Sequence, residues 1–305
     1  MTSNISAASL FRVDGIVAAI TGGGTGIGLT IARALATNGA KRVYILGRRL
    51  DVLKTAAAEF PDIFVPIQSD VTDHASLQAA VDKVTADAGY INLLVANSGV
   101  GGPPSGFTGH PDVPLAEVRA KTFTAEAMAE TTNTLHVNVT GAYFTILAFL
   151  ELLDEGNKRA VKGEGFGKPL VEGSDVPSVQ SQVIVTSSVA AFSRMHISSP
   201  AYLGSKAAIL QLTKQVSSNL AVYGIRANAL APGLFPSELA AGMIGDRDPS
   251  KEPYDHPGFM PSRRFGGDEE MAGTVLYLAS RAGSYTSGAV IMPDGGRSAV
   301  MRSSY

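Results

Sequence analysis

Short unbroken apolar runs alternate along this chain with stretches whose apolar residues recur every three or four positions. Residues 16–20 form a Val, Ile and Ala run that reads as a buried strand. Residues 29–36 (Leu-Thr-Ile-Ala-Arg-Ala-Leu-Ala) follow at helical spacing. The alternation continues with strands at 42–46, 63–67 and 91–96. Between them lie helices at 50–59 and from Asp73, a suitable N-cap, to about 87. After a Gly- and Pro-rich loop at 100–113, a long helical region spans 114–153, amphipathic over 135–153. Strands at 182–186, 226–230 and 288–292 and helices at 201–222 and 268–280 complete the pattern. Strands alternating with helices predict right-handed βαβ units, an α/β fold and a parallel sheet.

Two segments fall outside the alternation. Residues 155–181 show little periodicity and read as an inserted surface loop. Residues 232–265, rich in proline and aromatics, suit a lid with one short helix at 237–244. Neither breaks the pattern enough to mark a second domain, so one domain is expected over residues 1–305.

The junction between the first strand and helix is Thr21-Gly22-Gly23-Gly24-Thr25-Gly26-Ile27-Gly28. Glycines there let the backbone approach a pyrophosphate, which the free N–H groups and positive end of the helix neutralise. A tight turn alone would also use glycines, so the flanking strand and helix carry the inference.

Composition narrows the class. With 45% hydrophobic residues and 17% charged, the chain can bury a large core. A net charge of −2, well mixed, points to no nucleic-acid or membrane-surface partner. No run approaches the ~20 apolar residues of a membrane span. The opening residues carry Arg12 and Asp14 and do not resemble a signal peptide, and no cysteine occurs. A cytoplasmic location is therefore expected. The five histidines are scattered without metal-ligand spacing, so no metal site is expected; His196, six residues before Tyr202, reads by default as a solvated loop residue, with pocket lining as the alternative.

Chemistry gathers around the strand at 182–186 and the helix after it. Tyr202 and Lys206 are four residues apart and share a helix face. A phenol has an unperturbed pKa of about 10, and a nearby ammonium is expected to lower it toward the range useful for proton transfer. Ser187 and Ser188 lie at the carboxyl end of the preceding strand, where ligands bind in open α/β sheets. Successive strand residues face opposite ways, so one of the two serines can hold a substrate oxygen. Asn138 interrupts the amphipathic helix with a polar side chain.

Dinucleotide folds place an acid about twenty residues past the glycine turn for a ribose, or an arginine for a 2′-phosphate. Arg48 stands there, with Arg49 beside it and no acid, which favours NADP(H) over NAD.

Together, Thr21-Gly22-x-x-x-Gly26-x-Gly28, Asp70-Val71, Asn97-Ser98-Gly99, Asn138, Ser188, Tyr202-x-x-x-Lys206, Pro232-Gly233 and Asp294-Gly295-Gly296 resemble the short-chain dehydrogenase/reductase family. The resemblance spans about residues 13–296. It implies a Rossmann-type, doubly wound parallel sheet of about seven strands with helices on both faces. It also implies Ser188, Tyr202, Lys206 and Asn138 as the catalytic group. Tyr202 would exchange the proton, Lys206 would also hold the nicotinamide ribose, and Asn138 would keep a relay water. Gly22, Thr25, Gly26, Ile27 and Gly28 would line the pyrophosphate, and Asp70 and Val71 the adenine. Asn97 and Gly99 would border the central strand's end, Pro232 and Gly233 the nicotinamide. Ser237 stands where the family often has a threonine near its amide.

The expectation is an NADPH-dependent ketoreductase for a small carbonyl substrate, working as a homodimer or homotetramer through the helices at 135–153 and 201–222. Leu234, Phe235, Met243, Phe259 and Met260, with Phe192 and Met195 opposite, suggest an apolar or aromatic substrate. The alternatives are an NAD-dependent alcohol dehydrogenase and a non-catalytic NADP-binding scaffold or sensor.

Overall fold

The computed structural model describes residues 5–108, 112–195 and 198–301. The expected position of His196 lies outside them. Seven parallel strands form one sheet: β1 (Val17–Thr21), β2 (Arg42–Gly47), β3 (Phe64–Gln68), β4 (Leu93–Ala96), β5 (Gln182–Thr186), β6 (Arg226–Leu230) and β7 (Val290–Ile291). Their order is β3-β2-β1-β4-β5-β6-β7. The order reverses between β1 and β4, which pair directly from Ala18↔Leu93. A crevice therefore opens past the carboxyl ends of these two strands, where doubly wound sheets bind ligands.

The strands are apolar throughout because both faces are covered. Ala18, Ile20, Val43, Ile45 and Val95 pack on one side, under the helices Gly26–Thr37 and Asp268–Ala279. Val17, Ala19, Tyr44, Leu46 and Leu94 point the other way, against the helices His74–Asp87, Ala142–Ala148, Leu150–Val161 and Pro200–Leu220. Each buried Val, Leu or Ile contributes about 1.5–3 kcal/mol, so a polar residue in β1 or β4 would cost more than its own hydrogen bonds return. Asp73 caps its helix as expected, its carboxylate accepting the Ser76 N–H at 2.6 Å. That contact is worth about 1 kcal/mol.

Two expected segments look different. The region 114–153 is several helices: Leu115–Thr122, Ala125–Leu135, a π-helical stretch His136–Gly141, and Ala142–Ala148. The helix Leu150–Val161 then takes residues 155–161 of the expected 155–181 loop. The remainder of that loop is tied down by Phe166 and Val179, both buried in the core. The lid helix is also shorter than expected, Ala241–Ile244.

No single helix among the described residues is long and apolar enough to cross a membrane. The bent pair Ala125–Ala148 and Leu150–Val161 passes a combined length and composition test. Its Ile146, Phe149, Leu152 and Leu153 are buried against the sheet.

Candidate active site

The end of β5 separates the two serines. Ser187 points inward, its hydroxyl donating to the Lys206 carbonyl at 2.8 Å. Ser188 turns the other way, accepts the Ala190 N–H at 3.1 Å and hydrogen-bonds the Tyr202 phenol. Ser188 is therefore the serine that meets Tyr202.

Pro200 opens the long helix at a position where its missing N–H is harmless. One turn later, Lys206 comes to lie against Tyr202, with Nζ 5.6 Å from the ring centre. Lys206 is buried, and Nζ donates to the Thr186 carbonyl at 2.8 Å. Burial pushes its pKa down to about 8. Burial also raises the Tyr202 phenol above its ordinary value, against the pull of the Ser188 bond. This reverses the expectation that Lys206 would lower it. Withdrawing the phenolate from water outweighs the pull of an ammonium that makes no hydrogen bond to it among the described residues.

Asn138 lies in the π-helical stretch and does not line the cavity. Its Oδ1 accepts the Val100 N–H at 2.8 Å, and Nδ2 donates to the Val100 carbonyl and to Ser205 Oγ, each at 2.9 Å. A side chain on Gly99 would come within 3.2 Å of Asn138 Oδ1 and 3.4 Å of Lys206 Nζ. Asn138 thus stands behind Gly99 and joins the β4 loop to the helix Pro200–Leu220.

A cavity of about 1060 Å³ runs from this group to the glycine turn. Gly22, Thr25, Gly26, Ile27, Arg48, Arg49, Asp70, Val71, Asn97, Gly99, Pro232, Gly233 and Ser237 all line it. Gly28 does not: a methyl group there would meet the Gly22 carbonyl oxygen at 2.1 Å, so its hydrogen permits helix and strand to touch. Gly22 and Gly26 hold positive φ of 66° and 51°. Asn97 Nδ2 donates to the carbonyls of Thr21 and Gly22 at 3.1 and 3.3 Å, fixing the ends of β1 and β4 together. Asp70 is held below the usual carboxylate range, chiefly by its bond from the Thr72 hydroxyl.

These walls fit a dinucleotide. The helix Gly26–Thr37 presents its N-terminus with no acid in the first turn, and Arg48 stands exposed at the rim. The buried hydroxyls of Ser69 and Thr186 border the cavity with no partner among the described residues.

The lid contributes residues that sequence reasoning passed over. Glu238 pairs with Arg49 at 2.8 Å across the mouth. Ser237 rests on Gly26, where an added methyl group would meet its Cβ at 2.9 Å, so it sits over the glycine turn. Leu234, Phe235, Met243 and Met195 line the cavity as expected, but Phe192, Phe259 and Met260 do not. Phe259 and Met260 are buried in the lid's own packing. Arg247 and Arg297 also line the cavity, and no motif marks either one.

Comparison with known proteins agrees along the chain. A family profile described as short chain dehydrogenase matches residues 16–161, and one described as enoyl-(acyl carrier protein) reductase matches 171–298. The chain is 58% identical over 275 residues to the short-chain dehydrogenase/reductase SAT3 of Stachybotrys chartarum, covering 90% of this chain and all of that one. It is 43% identical over 308 residues to the short-chain dehydrogenase/reductase PhomF of Diaporthe leptostromiformis, covering 100% and 99%. Among solved structures, the Pseudomonas aeruginosa RhlG/NADP active-site complex superposes with a TM-score of 0.73 at 27% identity, over 95% of this chain and 98% of that one. The chain belongs to the short-chain dehydrogenase/reductase family, oxidoreductases that bind a nicotinamide cofactor and act on alcohol or carbonyl groups of small molecules.

Proposed function

We propose that this protein is an NADPH-dependent ketoreductase with Tyr202 as its general acid. The observation that carries the reading is the convergence of Ser188, Tyr202 and Lys206 in one cavity that continues to the glycine turn and Arg48. The reduced nicotinamide supplies the hydride when bound. Ser188 donates a hydrogen bond to the substrate carbonyl oxygen and holds it beside Tyr202. Tyr202, kept protonated by burial, delivers its proton to that oxygen as negative charge develops there. The Lys206 ammonium then stabilises the phenolate left behind. Asn138 keeps Gly99 and the catalytic helix in register.

The helix N-terminus, Thr25, Gly26 and Ile27 would hold the pyrophosphate, with Ser237 above them. Asp70 and Val71 would border the adenine, and Lys206, Pro232 and Gly233 the nicotinamide end. Arg48 would pair with the 2′-phosphate, and Arg49 would exchange Glu238 for the same group. Because the Arg49–Glu238 pair is exposed on both sides, that exchange gives up little. We read residues 1–305 as one dinucleotide-binding domain with 232–265 as its substrate lid. The absence of cysteine suits a cytoplasmic enzyme.

The deciding experiment follows NADPH absorbance over a panel of ketones, with NADH alongside. Arg48→Ala is expected to weaken NADPH binding about tenfold, the lower part of the range for a charged hydrogen bond. NADH binding should stay within about twofold, since only the 2′-phosphate contact is removed. Equal losses for both cofactors would sink the assignment.

Phe144 and Leu147 are exposed on one face of the helix Ala142–Ala148, which supports a homo-oligomer through that face. Phe144→Asp should then lower the mass seen by light scattering to that of a smaller species. An unchanged mass would move the interface elsewhere.

A further inference from the structure

The cavity wall formed by Met195, the 256–258 segment and Arg297 carries a positive charge that the ketoreductase reading leaves without a use. Arg247, on the same wall, is neutralised: its guanidinium grips both oxygens of the buried Glu252 at 2.7 and 3.0 Å. Arg297 has no such partner among the described residues. It donates to the Phe259 carbonyl at 2.8 Å, to the Pro257 carbonyl, and to the Met195 sulfur at 3.3 Å. These neutral acceptors orient the group without cancelling its charge. Glu252 and Asp294 act on Arg297 through space, but neither forms an ion pair with it among the described residues. Asp294 accepts the N–H groups of Ser298 and Gly296 at 2.7 and 3.0 Å, and Glu252 serves Arg247.

Burial, then the like charge of Arg247, press Arg297 below the ordinary arginine value, against the smaller opposing pull of Glu252 and Asp294. It remains a cation at neutral pH all the same. A guanidinium has five N–H donors in a planar fork, and three of those on Arg297 are accounted for. The Nε–H and one Nη1–H remain, on separate edges of the plane, and each can donate to a single carboxylate oxygen. No hydrogen bond among the described residues joins this wall to the glycine turn, Arg48 or Asp70.

We infer that the substrate carries a carboxylate, and that Arg297 selects it by pairing with that group while the reacting carbonyl lies at Ser188 and Tyr202. The placing of the carbonyl rests on the ketoreductase reading; the anion site rests on Arg297 and its surroundings. Leu234, Phe235 and Met243 line the same cavity and leave room for an apolar body between the two ends.

The test is calorimetric binding of 4-acetylbenzoate and of its methyl ester, with and without NADP+. The two probes differ only at one end, where the ester removes the charge and adds one methyl group. The acid is expected to bind the wild type at least about tenfold more tightly than the ester, as for a charge-assisted contact. Arg297→Gln should bring the two affinities to within about twofold while NADP+ affinity is unchanged, because the lost interaction is specific to the acid. Arg297→Lys, which keeps the charge but not the planar donor set, should retain part of the preference, and thermal melting checks that both variants fold. Equal binding of acid and ester by the wild type would overturn the inference. So would binding of neither at millimolar concentration, or a preference that survives Arg297→Gln. NADPH absorbance in the same samples separates the two readings: an acid that binds and is never reduced leaves the anion site standing and overturns the reductase.

Discussion

Replacing Tyr202 by phenylalanine is expected to lower kcat for carbonyl reduction by about a thousandfold, within the range for loss of a positioned acid. NADPH affinity should change by less than about twofold, because the ring and its packing remain. The substitution removes one oxygen and with it the partner of Ser188. Single-turnover reduction and fluorescence titration with NADPH separate the two effects. The same assay across pH adds a second readout. The phenol, raised by burial, stays protonated well into the alkaline range, whereas Lys206 loses its charge around pH 8. Below that pH the ammonium can stabilise the phenolate that forms; above it the phenolate has no counter-charge. In the wild type, kcat/KM for reduction should therefore fall as pH rises through about 8. Residual Tyr202→Phe activity should show no such step. Near-normal turnover by this variant would place the proton source elsewhere.

Gly28→Ala is expected to abolish NADPH binding and to destabilise the fold by about 1–3 kcal/mol or more, as overpacking does. For a chain of this size that lowers Tm by several degrees. The added methyl group would meet the Gly22 carbonyl oxygen at 2.1 Å and Asn97 Nδ2 at 2.7 Å. The first of these is backbone, held by its place at the end of β1, and cannot swing aside. Relief requires the helix to lift off the strand, which moves the N–H groups that face the pyrophosphate. Gly273→Ala is the control. That glycine lies in the helix Asp268–Ala279 with open space around it, so alanine should be neutral or stabilising by up to about 1 kcal/mol. A Gly28→Ala protein that melts with the wild type and still binds NADPH would show that helix and strand are not in contact there.

Much of this was legible beforehand because neighbouring residues impose it. Strand β5 and strand β6 were read to the residue, since Gln182–Thr186 and Arg226–Leu230 are bounded by turn chemistry on both sides. The Asp73 cap and the Tyr202–Lys206 face depend on contacts within one turn of helix. The helical region read at 114–153 is helical, but it is interrupted at Phe123 and Thr124 and bends at Phe149, which the apolar pattern does not mark. A π-helical stretch adds a residue to one turn at His136–Gly141, and the apolar pattern on either side still looks periodic. The 155–181 loop differs in its first seven residues, which extend the helix Leu150–Val161, and in the anchors Phe166 and Val179, isolated apolar residues whose burial depends on what lies above them.

The site divides along the same line. Residue types and spacing alone determined that a glycine turn precedes a helix and that a phenol and an ammonium share a face. They also determined that arginines rather than an acid follow β2. These follow from local geometry: a helix repeats every 3.6 residues and a strand every two. The tertiary structure decided which serine faces Tyr202 and that Gly28 serves contact rather than lining. It decided that Asn138 braces Gly99, and that burial rather than Lys206 governs the phenol. It also left Arg297 in the cavity wall without a carboxylate. Each of these turns on distance to groups far off in the sequence and on exclusion of water, and both arise only when the chain has closed on itself.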